Sequence, residues 1–176
     1  MVNNKSENIK SKNEEIDIQT IKQVIATHSR GMDRLDNKIL QSAYWEDAEV
    51  DYGEFKGLAY EFIDLVIPAL REIYLLTQHK VSNTLITLKG DIALSETYVT
   101  AYHLSIDEKT EMTFLGRYLD KMEKREKKWR ILHRKVVMDW NQYRSADHDR
   151  EGEKFINMSK GSTNKNDPLY SFLLDD

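Results

Sequence analysis

The chain has 176 residues, 40% hydrophobic and 32% charged, with a formal net charge of −4 and no cysteine. That length fits one domain with a core of its own, and the acidic balance argues against nucleic acid or an anionic membrane as partner. The missing thiols exclude disulfides, thiolate zinc sites and a cysteine nucleophile, and no stretch has the length of a membrane span or the apolar core of a signal peptide, so a cytoplasmic location is expected.

Residues 1–14 are almost wholly polar and are expected to form a disordered N-terminal tail. Ile18, Ile21, Val24, Ile25, His28, Met32 and Leu35 then recur at helical spacing and predict an amphipathic helix over 16–34. A short helix is expected around 36–44, ending in Tyr44–Trp45, followed by a short strand and a turn over 47–53. From Leu58 to Tyr74 the helical period returns, with Phe62, Leu65, Val66, Ala69, Leu70 and Ile73 on one face and Pro68 predicting a kink. From Thr77 onward the period is two. Strands over Val81–Leu88, Ile92–Leu104, Met112–Glu123 and Trp129–Trp140, joined by short turns, predict an antiparallel meander. About three N-terminal helices on such a strongly curved antiparallel sheet make an α+β cone over 15–143, enclosing a pocket between helices and sheet. Residues 144–166 are a polar tail. The closing DPLYSFLLDD is too apolar for a free end, and fits either a hook on its own domain or a clasp on a neighbouring subunit.

Several residues in this frame could carry chemistry. His79 stands where the first long strand begins; an imidazole suits proton abstraction, provided that a partner fixes its tautomer. Asp33, at the end of the first helix, is a candidate for that partner, although a lone histidine at a strand start is also often structural. Alternation in the last strand puts Leu132, Arg134, Val136, Met138 and Trp140 on one mostly apolar, core-facing side. A guanidinium there must meet an anionic ligand or a buried acid such as Asp33 or Glu96. His28 lies on the core stripe of the first helix, where a satisfied core histidine is common. A helix turns about 140° over the five residues to Asp33, so the two line one pocket only if the cavity wraps the helix end or Gly31 loosens the last turn. Glycine-rich phosphate loops, a nucleophile elbow and HExxH are all absent, and the basic run Lys121–Arg130 alternates with acids as a solvated hairpin tip.

The order of motifs carries a resemblance. His28-Ser-Arg-Gly-Met-Asp33-Arg-Leu-Asp36 is followed by Tyr44-Trp-Glu-Asp47-Ala48, Gly53 and Lys56-Gly57. Then come Thr77-Gln-His79, Asn83, Gly90-Asp91 with Ala93, Gly116-Arg-Tyr118, and Trp129-Arg-Ile-Leu-His-Arg134 closing on Asp139-Trp140. Over roughly residues 16–143 this resembles the SnoaL-like branch of the nuclear transport factor 2-like superfamily, in the group that holds lindane dehydrochlorinase, scytalone dehydratase and bile-acid 7α-dehydratase. The resemblance implies a cofactor-free elimination or isomerisation inside the cone, with Asp33 and His79 as catalytic dyad and Arg134 at the position of an active-site arginine. His28 matches a position that carries a polar active-site side chain in these relatives, and Val50, Met138 and Tyr44 are expected to touch substrate. Two departures stand out. Val50 replaces an active-site tryptophan of the dehydrochlorinase, and Lys124-Arg-Glu-Lys-Lys128 replaces the usual Asp-Gly hairpin turn.

The expected function is therefore a cofactor-independent lyase or isomerase of the dehydratase or dehydrohalogenase type, acting on a small, mostly apolar ring compound. In it Asp33 orients His79, Arg134 stabilises developing negative charge and His28 protonates the leaving group. The alternatives are a non-catalytic small-molecule binder and a protein-interaction module of the same fold. Homo-oligomers are common in the family, so a homodimer or homotrimer is expected.

Overall fold

The computed structural model describes the backbone of residues 2–174 and the side chains of residues 11–174. In chain order the elements are α1 (Val2–Asp33), α2 (Asn37–Ser42), β1 (Tyr44–Asp51), β2 (Lys56–Leu58), α3 (Ala59–Ile73), β3 (Tyr74–Lys89), β4 (Ile92–Ser105), β5 (Thr110–Arg125), β6 (Lys128–Ser145) and α4 (Pro168–Phe172). The backbone is helical over residues 2–14, where a disordered tail was expected. That stretch contains neither glycine nor proline and several good helix formers, so a helix nucleated by the packed residues downstream propagates into it at little cost. No described helix is long and apolar enough to cross a membrane.

Six strands form one curved, unclosed sheet in the order β2-β1-β6-β5-β4-β3. The run from β3 to β6 is the expected antiparallel meander. The sheet is not wholly antiparallel, because β1 joins the free side of β6 in parallel, with Val50 beside Arg134. The β5–β6 hairpin turns through Glu126 and Lys127, at φ of 51° and 64°, so these two residues adopt the left-handed backbone that glycine usually supplies.

The core lies between the helices and one face of the sheet. Ile21, Ile25, Met32 and Leu35 descend from α1 and its exit turn, Phe62, Ile63 and Ile67 from α3, and Ala93, Met122, Trp129 and Ile131 rise from the strands. The buried stripe of α3 is rotated from the expected face: Ala59, Ile63 and Ile67 are buried, whereas Leu65 and Ile73 are exposed. Both sides of this helix are apolar, so periodicity alone cannot select the one that meets the sheet.

Two irregularities in β6 change which of its side chains face the core. Met122 pairs with Ile131 but Lys121 with His133, which leaves Leu132 as an extra residue. Ile131 and Arg134 are therefore both buried, and Leu132 is not Arg134's partner on the core face. Further on, Leu115 pairs with Trp140 and Gly116 with Met138, with Asp139 as the extra residue. Trp140 is thereby turned to the outer face and is 52% exposed, while Met138 is 62% exposed because the long strands outrun the helical cover. Met138, opposite Gly116, stays on the sheet face that carries Arg134, beyond the part that the helices cover.

Candidate active site

The last turn of α1 delivers Asp33 to the free side of edge strand β3. One oxygen, Oδ1, accepts the backbone N–H of His79 at 2.8 Å and its ring Nδ1 at 2.7 Å. The backbone bond satisfies an edge-strand donor, and because a carboxylate only accepts, the ring bond places a proton on Nδ1. His79 is opposite Ala101 in β4, which is buried, so its ring belongs to the row of side chains on the core-facing side of the sheet. The turn after Asp33 is tight. Leu35 has φ of 45°, and Asp36 caps α2 by accepting from the N–H groups of Lys38 and Ile39 at 3.0 and 3.2 Å. Gly31 does not loosen α1. It allows α2 to approach, since a Cβ there would stand 2.7 Å from the Leu40 Cα.

His103, in β4, is next to the dyad. Its ring stands edge-on to that of His79 at 5.6 Å between centroids and is tilted against that of Tyr74 at 4.5 Å. Burial, with a contribution from nearby His79, pushes its pKa down to about 3, so it is neutral at ordinary pH. Only the pairing register, which places His103 opposite Thr77, could have signalled this contact.

His28 is fully buried and turned into the domain. Its ring meets Tyr44 and Tyr118 edge-on at 5.6 and 5.5 Å, and its Nε2 is 3.5 Å from Tyr52 Oη. Burial first, then the charges of Arg134 and His79, hold its pKa well below the usual histidine value. The helical offset between His28 and Asp33 is resolved by the strand. Asp33 reaches sideways to β3, and His79 there is near enough for its charge to act on His28, although His28 does not line the cleft beside the dyad.

Arg134 is also fully buried, with Asp120 as its acid rather than Asp33 or Glu96. Nε and Nη2 donate to the two Asp120 oxygens at 2.7 Å each, and the guanidinium lies 3.9 Å from the Tyr118 ring centre. Burial opposes its charge, but Asp120 more than offsets this and raises the pKa well above the ordinary arginine value. Arg134 Nη1, the buried Tyr44 hydroxyl, Ser95 Oγ and Thr97 Oγ1 make no hydrogen bond of good geometry among the described residues, and the Tyr52 hydroxyl is the polar group next to both Arg134 and Tyr44. Ser95 is opposite Asp120 and Thr97 is opposite Tyr118, so these groups occupy adjacent rows of one sheet face. Val50 and Tyr44 are buried beside this cluster. Tyr52 and Asp120 were missed in the sequence: Asp120 pairs with Arg134 only through the β5–β6 register, and Tyr52 lies in the turn after β1.

Above the dyad a cleft of about 750 Å³ opens between α1 and β3. Asp33, His79, Ser29 and Val81 line it, and Asp167 and Leu169 of the C-terminal segment close one side. Among the described residues no cluster of three or more His, Asp or Glu side chains is arranged to hold a metal ion.

The family model of the SnoaL-like domain matches residues 14–135. Among solved structures, a type 2 hexachlorocyclohexane dehydrochlorinase is similar at TM-score 0.71 and 18% identity, covering 79% of this chain and 96% of its own. The type 3 enzyme of Novosphingobium barchaimii is similar at TM-score 0.69 and 15% identity, over 79% of this chain and 97% of that one. A candidate scytalone dehydratase of Novosphingobium aromaticivorans is similar at TM-score 0.69 and 20% identity, over 81% and 99%. At these identities the likeness is one of fold. No curated protein sequence matches the chain.

Proposed function

The chain belongs to the SnoaL-like domain family, and on that premise we propose that it is a cofactor-independent lyase or isomerase acting on a small, mostly apolar ring compound. The observation that carries this reading is the 2.7 Å bond between Asp33 Oδ1 and His79 Nδ1. It leaves Nε2 as a base on the core-facing side of the sheet, beneath a cleft that gives access. His79 removes a proton from carbon, and Asp33 stabilises the imidazolium that forms. The Nη1–H of Arg134 and the Tyr44 hydroxyl, with Tyr52 beside both, are donors for the oxygen or leaving group on which negative charge develops. His28, neutral and next to Tyr52, is a positioning residue for these donors or a source of the proton that the leaving group needs.

The test is a screen of cyclic hydroxyketones and halogenated cyclohexanes for loss of water or hydrogen halide, followed by mass spectrometry. Any turnover should fall by about 10²–10⁴-fold in His79→Ala, with an unchanged thermal midpoint. Turnover that survives the substitution removes His79 from the mechanism.

A non-catalytic binding role for the same pocket has one feature in its favour, the engagement of Arg134 by Asp120, which anchors the cation before any ligand arrives. Recovery of a bound ring compound unchanged after long incubation distinguishes the two readings. We further propose a homodimer or homotrimer joined through the outer sheet face.

A further inference from the structure

The chain continues well past the end of β6 at Ser145 and past the family match at 135, yet these later residues return to the dyad. Asp167 is the buried anchor of the segment. Its carboxylate accepts the N–H groups of Ser162 and Leu169 at 2.8 and 3.0 Å and pairs with Arg34. A second tie is at Asp36, which accepts from Tyr170 Oη at 2.7 Å and pairs with Lys165. Arg34 and Asp36 flank Leu35 in the turn that immediately follows Asp33, so the segment is fastened to the residues that present the dyad carboxylate. From this position Asp167 and Leu169 form a wall of the cleft over Asp33 and His79.

The chemistry of the ties separates this segment from the core. The apolar hook expected at this end does dock on its own domain, but by polar contacts, since Phe172, Leu173 and Leu174 are left exposed. Little apolar burial holds it down. Ion pairs and hydrogen bonds at a partly hydrated surface exchange readily with water and salt, so the segment can detach without disturbing the sheet or α1.

We propose that residues 161–170 form a gate on the dyad cleft, latched by Arg34–Asp167 and by Asp36 with Lys165 and Tyr170, with Leu169 as a specificity-determining contact. When latched, the gate shields the His79 ring; when released, it admits a ring compound, and Leu169 packs on that compound as the gate closes. The inference rests on the reading of this cleft as the route to His79, but its test needs no turnover.

The full-length chain is treated with diethyl pyrocarbonate, and each histidine is followed by peptide mass spectrometry, with His133 as internal reference. In Asp167→Asn the modification rate of His79 should rise about tenfold, as expected when a charge-assisted tie is removed from a local opening equilibrium, while His133 is unchanged. High salt should have the same effect on the unaltered chain. An unchanged His79 rate in Asp167→Asn overturns the gate. If all histidines accelerate together, the substitution has loosened the fold, and the milder pair Lys165→Ala with Tyr170→Phe decides: a constant His79 rate there also overturns the gate. A gate that passes while His79→Ala retains turnover would leave the closure standing and the catalytic reading fallen.

Discussion

At the residue scale, the interior is defined by groups whose charge is either fully matched or suppressed. Arg134 and Asp120 neutralise one another through two parallel bonds, an arrangement that tolerates burial because both partners are satisfied on the shared side. His28 and His103 are instead kept neutral by burial, and this makes folding depend on pH. In the unfolded chain both return to the ordinary value of 6.5. Their folded values are depressed, so the unfolded state binds more protons once the pH drops below that value. The stability they contribute is fully present above about pH 6.5 and is lost on acidification towards their folded values, at up to about 1.4 kcal/mol per pH unit for each histidine. Asp17, Asp36 and Asp167 also have depressed values; their contribution is present above the usual 3.8 and lost only below it, outside this window. Urea unfolding should therefore give a lower free energy at pH 5 than at pH 7, with a smaller difference in His103→Phe. An identical free energy at both pH values contradicts the neutral burial of the pair. Asp33, His79 and Arg134 could be found in the sequence because each stands at an element end or on a strand face. Asp120 could not, since its pairing is a matter of β5–β6 register.

At the scale of elements, strand alternation was legible wherever the ladder is regular. It failed at Leu132 and Asp139, where one extra residue in β6 reverses the facing of the residues after it. Arg134, Val136 and Met138 were thus placed on one face correctly, whereas Leu132 and Trp140 were not. The face of α3 was ambiguous because apolar residues surround it. The close crossing of α1 and α2 is another feature that periodicity cannot report, since it depends on a missing side chain. In Gly31→Ala the new Cβ meets the Leu40 backbone at 2.7 Å, and backbone cannot yield as a flexible side chain would. The substitution should cost about 1–3 kcal/mol, within the range for overpacking. It should also loosen the Asp36 cap, which is part of the same turn. A thermal midpoint equal to that of the unaltered chain would show that α2 is free to move away.

For the whole molecule, the half-open cone leaves two unlike surfaces. The covered face holds the polar cluster, whereas the outer face displays Leu94, Tyr98, Tyr102 and Trp140 to solvent. Among these, Arg117 is paired with both Glu96 and Asp139, so the face can be buried without stranding that charge. A surface of this kind suits a second copy of the chain. Trp140→Glu should reduce the mass measured by light scattering to that of a monomer, and an unaltered chain that is already monomeric would contradict the proposal. The cone itself was legible from helices followed by long alternating strands. The return of the C-terminal segment to the dyad was not, because polar ties between Asp167 and Arg34 leave no periodic trace.

The proposed mechanism depends on Asp33 holding a proton on His79 Nδ1. Nitrogen-15 NMR of the histidine side chains in the full-length chain measures this directly, without a substrate. A His79 ring with a proton on Nδ1 hydrogen-bonded to the carboxylate is expected, with that preference lost in Asp33→Asn. A His79 protonated at Nε2 alone, or one whose tautomer is indifferent to Asp33→Asn, would contradict it.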